Sequence, residues 1–505
     1  MLIKRNMTFS IVGIALGITI LITTASAASS NLKRLYVDYG AIKKIVVDGV
    51  EKKPSDGKKL FVANGTPYVP LQYIEDALGK EVDFDAKTGT ITIESLPKTL
   101  NVWSFTDELP VIADKYKELH PNFNYEIKDT ILSTRDNIYQ QALDTALAAG
   151  GPDAPDIYGV ETAFTLKYTQ GEAAGYAAAY KDLGIDVDKL LKEADIARYT
   201  IDIGTRPSDK KIVGLTYQAT GGVCIYRRSI AKDVWGTDNP NTIKTKIGPG
   251  WDQFYKAAAQ LKSKGYGIVS GNGDIWRVIE GGSPTGWVVD GKLNIDPARE
   301  KFLDYAKELS VNGWSNNTLE WTDAWYADMS DDNEQKIFSY FGPSWLINYI
   351  LADCSGNTFG DWAICEPPAG FFWGGTWILA NKDTRKKDAV GDIIKWITLD
   401  SSQTGLQYLW ANGLAYSSSL PQDTVPSGTV MKKSNGTLDF LGGQNMFDVF
   451  ITANALATGK NRTDYDEMIN VYWCDAVWKY TDGRLTRSEA IAYFRKQVAG
   501  NLGIY

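Results

Sequence analysis

The residue types best placed to do chemistry are tryptophans and carboxylates beside turn-forming glycines. The 505-residue chain carries 16 Trp and 27 Tyr against a single His. Trp345 follows Gly342-Pro343-Ser344, a turn that exposes a strand end. Trp373 and Trp377 bracket Gly374-Gly375, where glycines allow close approach of the backbone to a ligand. Of these two, Trp377 starts a strand and reads as core. Glu161 closes the strand-like PDIYGV run, with Tyr158 inside it, and Asp107 and Glu108 follow the first strand-like segment of the larger region. Tyr217 and Gln218 end a GLTYQ segment, and Trp276 follows the glycine-rich SGNGD. Aromatic faces next to carboxylates and amides suit a wet, amphipathic ligand that is half apolar face and half hydrogen-bonding rim. Trp321 and Trp325 recur at helical spacing and read as a core stripe. Trp251 reads as the buried start of a helix. The pairs Asp466-Glu467 and Asp331-Asp332 lack the spaced oxygen ligands of a calcium loop and read as solvated surface.

Other chemistries find no support. There is no serine nucleophile elbow and no zinc motif, and His120 sits in a surface-like ELHPN segment. A net charge of −8 without a basic cluster argues against nucleic acid. No cofactor or metal is expected. Four cysteines allow three disulfide pairings, of which Cys354–Cys365 is the nearest in sequence and the first expectation.

The elements that position these residues fall into three parts. Lys4 and Arg5, an apolar run from about Phe9 to Ile22, and Ala25-Ser26-Ala27 read as an export leader over residues 1–27. No cysteine lies near that cleavage site, so no lipoprotein anchor is expected. Residues 35–95 read as a small α+β module. It has a strand at Ile45–Val47, an Asn64-Gly65 turn, a helix from Pro70 to Leu78, and alternating Val82/Phe84 and Ile91/Ile93 about Thr88-Gly89. From Leu100 strands alternate with helices: LNVWSF, then ELPVIADKYKELHP, NYEIKD, a long helix through Gln140 and Leu147, and PDIYGV. That alternation predicts an α/β fold with largely parallel sheets, and its length fits two lobes.

Two resemblances follow. The run NGTPYVPLQYIEDALGKEVDFDAKTGTITIE resembles the domain at the N-terminus of some copper amine oxidases and on many bacterial surface proteins. Oxidase chemistry does not come with it, since copper needs several His ligands and the chain has one. From Leu100 to Tyr505 the chain resembles the family 1 extracellular solute-binding proteins, the carbohydrate-capturing components of ABC importers. The resemblance rests on NVWSF, Pro155-Asp156-Ile157, Gly214-Leu215-Thr216-Tyr217, Cys224-Ile225-Tyr226-Arg227-Arg228, Gly250-Trp251-Asp252-Gln253-Phe254, Phe341-Gly342-Pro343-Ser344-Trp345, Glu366-Pro367-Pro368 with Gly374-Gly375-Thr376, and Thr481-Asp482-Gly483-Arg484-Leu485, in that order.

This resemblance implies a two-lobed, type II periplasmic-binding-protein-like α/β fold with three interlobe crossings, preceded by the α+β module. The crossings are expected near Gln218–Gly222, Trp373–Thr376 and Tyr416–Ser419. Lobe 1 would span about 100–218 and 376–416, and lobe 2 about 221–373 and 418–505. It also implies a sugar or oligosaccharide in the interlobe cleft, delivery to an ABC permease, no catalysis, a monomer, and an extracellular or cell-surface location. Any wall or membrane association would run through the N-terminal region. Ligand-binding candidates are Trp345, Trp373, Glu161, Tyr158, Asp107, Glu108, Tyr217, Gln218 and Trp276. The alternatives are a secreted glycoside-active enzyme, which would need a pair of carboxylates in the cleft, and a non-transport surface protein that binds carbohydrate. A phosphate-bearing solute would want an Arg fork, for which Arg277 is the candidate.

Overall fold

A computed structural model describes residues 35–47, 50–52, 59–71, 73, 78, 80–95, 98–415 and 422–505. The leader, most of the helix expected from Pro70 to Leu78, and the segment expected to hold the third crossing, Tyr416–Ser419, lie outside the described residues. The chain divides into two compact units, before and after the 97/98 boundary. Among the described residues no helix is long and apolar enough to cross a membrane.

The smaller unit is built of hairpins. Phe61–Ala63 pairs with Thr66–Tyr68 around Asn64 and Gly65, both in the left-handed region. Lys80–Asp85 pairs with Thr90–Ser95, where Asp85 caps the turn by accepting from the Lys87 amide. The alternation of Val82 and Phe84 with acids thus marks a real two-stranded ribbon, as Ile91 and Ile93 do on its partner.

Among the described residues the larger unit holds two main sheets, one in each lobe, and two short two-stranded ribbons. Lobe 1 contains strands β1 (Thr99–Ser104), β2 (Glu126–Ile131), β3 (Ile157–Glu161), β4 (Gly214–Thr216) and, after an excursion into lobe 2, β8 (Thr376–Ala380). Their order is β4-β8-β3-β1-β2. Lobe 2 contains β5 (Val223–Arg227), β6 (Ser339–Gly342) and β7 (Trp362–Cys365), with β5 in the centre. The helices that matter below are α1 (Glu108–Leu119), α2 (Thr162–Thr169), α3 (Gly273–Gly281), α4 (Pro297–Val311) and α5 (Asp466–Thr481).

The expected parallel order holds only for β3-β1-β2. Strand β8 runs antiparallel to both β3 and β4, and the lobe-2 sheet is antiparallel throughout. The reason is the crossing geometry. β4 and β7 lead into crossings and β5 and β8 lead out of them, so the neighbours β4 and β8, and likewise β5 and β7, run in opposite senses.

Residues along β5 and β7 alternate between two apolar clusters. Val223, Ile225, Trp362 and Ile364 face one; Cys224, Tyr226, Ala363 and Cys365 face the other. All four cysteines are free thiols, and Cys365 lies across the ladder from Cys224, not beside a disulfide partner at Cys354. Asp331 also departs from the expected solvated surface, because it accepts from Arg227 at 2.6 Å. In lobe 1, buried Asp156 ties three segments together, accepting from the Asn101 amide at 2.9 Å, Thr384 Oγ1 at 2.6 Å and Lys386 Nζ at 2.7 Å.

The first two crossings run in contact. Gly222 N–H donates to Phe371 O at 2.9 Å, and Trp373 N–H donates to Thr220 O at 3.0 Å. A Cβ at Gly222 would lie 2.0 Å from the Phe371 ring. Gly222→Ala is therefore expected to destabilise the protein by about 1–3 kcal/mol through overpacking, read as a lower denaturation midpoint with an unchanged slope. Phe371→Leu, which removes the opposing ring, should return part of that loss in the double variant. A Gly222→Ala variant as stable as the parent would refute this account of the crossing.

Candidate functional site

The cleft is assembled from strand ends, helix starts and crossings. β3 ends in Glu161, whose carboxylate caps α2 by accepting from the Ala163 amide at 3.0 Å. β6 ends in Gly342, Pro343 follows, and the helical turn that starts at Ser344 carries Trp345. The second crossing brings Trp373 and Gly374. Lobe 2 contributes α3, with Arg277 and Glu280, and the N-terminal turn of α5, with Asp466 and Glu467. Glu161, Trp373, Gly374, Arg277, Glu280, Asp466 and Glu467, with Thr162, Phe372, Arg462 and others, line a cavity of about 150 Å³, and Trp345 stands behind Trp373.

Trp345 and Trp373 pack at 70° with centroids 4.8 Å apart, and Trp345 Nε1–H donates to Trp373 O at 2.9 Å. Gly374 makes that approach possible. Its φ is +80°, and a Cβ there would come within 3.1 Å of Trp345 Nε1. A third ring completes the group: Trp321 lies nearly parallel to Trp345, 6.1 Å away at 12°, and 69° from Trp373. Trp321 is 47% exposed, and its backbone is left-handed at φ +67°. A bulky residue holds that conformation at a cost.

The expected core stripe therefore splits. Trp325 is buried and donates to Asp274 Oδ1 at 3.0 Å, whereas Trp321 joins the cleft tryptophans. Helical spacing misleads here because the helix begins only at Asp323. Trp377 is buried and bonds to Thr200 O, as a core residue does.

A second polar cluster sits on the crossings. Glu108, at the start of α1, accepts from the Tyr217 hydroxyl. Gln218 Nε2 donates to Asp423 Oδ2 at 2.7 Å, and Ala219 N–H donates to Thr424 O at 3.1 Å. Burial, together with the charges of Asp423 and Asp107, raises the Glu108 carboxyl to about 7. Burial likewise raises Asp423 to about 6. Asp107 stands exposed at the N-cap position of α1.

Two of the expected residues lie elsewhere. Tyr158 points into the lobe-1 core against Tyr168. The Trp276 ring is enclosed by Trp287, Phe302 and Trp473 in the lobe-2 core. Its neighbour Arg277 faces the cleft, with its guanidinium 4.9 Å from the centre of the Trp373 ring.

Asp466 and Glu467 are the clearest departure from expectation. Asp466 is 5% exposed and is not solvated surface, whereas Glu467 lines the cavity with a side chain still partly open to solvent. An acidic pair at a helix start is stabilised by the helix dipole, so the sequence pattern alone fits either placement. Burial raises the Asp466 carboxyl to about 6. Burial, and to a lesser degree the charge of Glu467, raises Glu161 to about 7 against the opposing pull of Arg277.

Comparison with known proteins accords with this architecture. Residues 27–109 match the copper amine oxidase N-terminal domain. Among curated proteins, none matches the chain. Three solved structures share the fold at low sequence identity. An extracellular solute-binding protein of family 1 is 17% identical with a TM-score of 0.63, over 79% of this chain and 98% of that one. The sugar-binding protein MalE of Xanthomonas citri is 15% identical with a TM-score of 0.61, over 80% and 97%. The galacto-N-biose-/lacto-N-biose I-binding protein of the ABC transporter from Bifidobacterium longum, in complex with lacto-N-biose, is 18% identical with a TM-score of 0.57, over 80% and 98%. The match of residues 112–427 covers more than half of the sequence, and on that match the chain belongs to the bacterial extracellular solute-binding proteins.

Proposed function

We propose that the protein captures a saccharide between its lobes and presents it to the permease of an ABC importer. The observation that carries this reading is the group of Trp321, Trp345 and Trp373 at the edge of a cavity walled by carboxylates and arginines. A pyranose offers apolar C–H faces that stack on indole rings, and its hydroxyl rim donates to carboxylates and accepts from guanidinium. Support also comes from the sugar-binding proteins that share the fold.

Capture works through differential interaction. A ligand that touches Glu161 from lobe 1, the tryptophans beside the crossing, and Arg277 and α5 from lobe 2, favours the arrangement in which both lobes reach it. Closure excludes water, which strengthens each polar contact in the cleft. The composite face of the closed lobes is what a permease would recognise. The protein acts as a receptor without catalysing a reaction, as a monomer, outside the membrane.

Titration calorimetry against a panel of oligosaccharides, with product analysis of the same mixtures, tests the reading. Binding that leaves the sugar intact supports capture. Released reducing ends would point instead to a glycoside-active enzyme, and absence of binding to a surface protein without transport.

Trp345→Ala should weaken binding by more than tenfold, on the order of 1–3 kcal/mol for a lost stacking contact in a desolvated site. Unchanged affinity would remove Trp345 from the site.

The Glu161 carboxyl gives a pH signature. Its folded value of about 7 lies above the ordinary 4.5, so the folded state holds this proton more tightly. Stability of the unliganded protein from this group is therefore greatest at low pH and falls as pH rises from about 4.5 through 7. Sugar hydroxyls donate to the ionised form, so affinity should rise about tenfold from pH 6 to pH 8 and then level. Glu161→Gln should flatten that part of the profile and relieve the stability loss. A parental profile in the variant would overturn this role for Glu161.

A further inference from the structure

Donors and acceptors around the cavity do not balance. Among the described lining residues, four are carboxylates (Glu161, Glu280, Asp466 and Glu467) and two are arginines (Arg277 and Arg462). Arg462 is committed to Glu280 at 2.7 Å, with its guanidinium over Phe372 at 5.0 Å. Glu280 also lies 3.7 Å from Arg299, which pairs with Asp296 at 2.8 Å. Arg277 approaches Glu467 only to 3.9 Å and lays its face on Trp373.

The hydroxyl donors of the lining are spent. Thr162 Oγ1 donates to Gly375 O at 3.1 Å, and Thr463 Oγ1 donates to Asp466 Oδ1 at 2.7 Å. Arg277 makes no hydrogen bond among the described residues and keeps N–H donors on one wall, and buried acceptors stay unpartnered on the others. Asp466 is 95% buried, and its Oδ2 has no hydrogen-bond partner among the described residues. Glu161 accepts one backbone amide through Oε2 and forms no ion pair within 4 Å among the described residues.

A lining with surplus acceptors asks for a ligand rich in donors. When ionised, the four carboxylates also outnumber the two arginines, and hydroxyls supply hydrogens but no compensating charge. An ammonium supplies three N–H donors and a positive charge at one centre. The adjoining indole faces favour a cation as well as a sugar ring.

We propose that the captured ligand is an amine-bearing saccharide, of the 2-amino-2-deoxyhexose class, with its ammonium seated among Glu161, Asp466 and Glu467 and its ring on the tryptophans. This rests on the reading of the cleft as a saccharide site. It separates the ligand from N-acetylated and neutral sugars of the same shape, which leave the surplus charge uncompensated. It also separates it from uronates and sugar phosphates, whose anions would face the same carboxylates.

The test is titration calorimetry of the full-length secreted chain at pH 6.5 with matched glucosamine, N-acetylglucosamine and glucose saccharides, one to four units long, in α and β linkages. The free-amine series is expected to bind at least tenfold more tightly than its N-acetyl and neutral counterparts. Raising the salt concentration should narrow that advantage. Asp466→Asn and Glu161→Gln should each reduce affinity for the amine series several-fold more than affinity for the neutral series, so the amine advantage shrinks in both variants. Thermal melts confirm that each variant is folded, and the two sites lie on different lobes, so loss of one variant leaves the other informative. Neutral or N-acetyl sugars binding as tightly as the amines would overturn the amine proposal and leave the saccharide reading intact. No binding by any of the three series would overturn both.

Discussion

The rest of the molecule depends on a constraint at residues 218–222, where two crossings between the lobes and the segment at Asp423–Thr424 are sewn together. Thr220 and Gly222 exchange backbone hydrogen bonds with Phe371 and Trp373, and Thr220 Oγ1 adds a bond to Gly374 O at 2.8 Å. On the other side Ala219 N–H donates to Thr424 O, and Thr424 Oγ1 donates back to Ala219 O at 2.6 Å. Glycine at 222 is required because the Phe371 ring occupies the space a side chain would need. On the proposed capture reading, groups bonded at this seam keep their contacts while distant parts of the lobes move, as hinge residues do in a domain closure. The same seam positions the chemistry: Tyr217 and Gln218 leave one crossing, Trp373 and Gly374 another, and Asp423 comes from the segment bonded beside them.

Much of this was legible in the sequence, for local reasons. Turn chemistry announced the seam and the sites beside it, since Gly374-Gly375 and Gly342-Pro343 permit few backbone courses. Both Trp345 and Trp373 stand where those signals pointed. Strand and helix alternation from Leu100 to Val160 placed β1, β3 and α1 well, and β2 about two residues early, because a short strand has no sharp sequence boundary. Strand direction in lobe 2 was not legible. Whether β5 and β7 run parallel depends on where the chain enters and leaves the lobe, and no local pattern encodes that. Trp321 was hidden for a related reason. Its four-residue spacing from Trp325 imitates a helical stripe, and only the left-handed turn at 321 separates the two rings. Asp466 and Glu467 belong to a helix start some 300 residues after Glu161, and their meeting across the cavity is a property of the fold alone.

The polar side of the cleft is held at a cost to the unliganded protein. Glu108, Glu161, Asp423 and Asp466 all carry carboxyls raised by burial, so each opposes folding more as pH rises above its unfolded value. A core-forming residue at any of these positions would relieve that cost, as stabilising substitutions at functional sites often do. Not all of the charge is exploitable by a ligand, however. Asp423 is already bonded to Gln218, and Glu108 to Tyr217, so that pair of contacts braces the crossings.

Glu161 and Asp466 differ from that bracing pair in one respect that ties the electrostatics to the motion. They stand on opposite lobes, Glu161 at the end of β3 and Asp466 at the start of α5, and each retains an acceptor with no donor among the described residues. On the proposed capture reading, Glu161 and Asp466 come closer as the lobes close, and to the extent that both are ionised they resist closure in the absence of a ligand. A donor-rich ligand placed between them converts that repulsion into two sets of hydrogen bonds. The energy that shifts the lobes is then the difference between an unfilled and a filled acceptor set, so recognition and closure draw on the same few atoms.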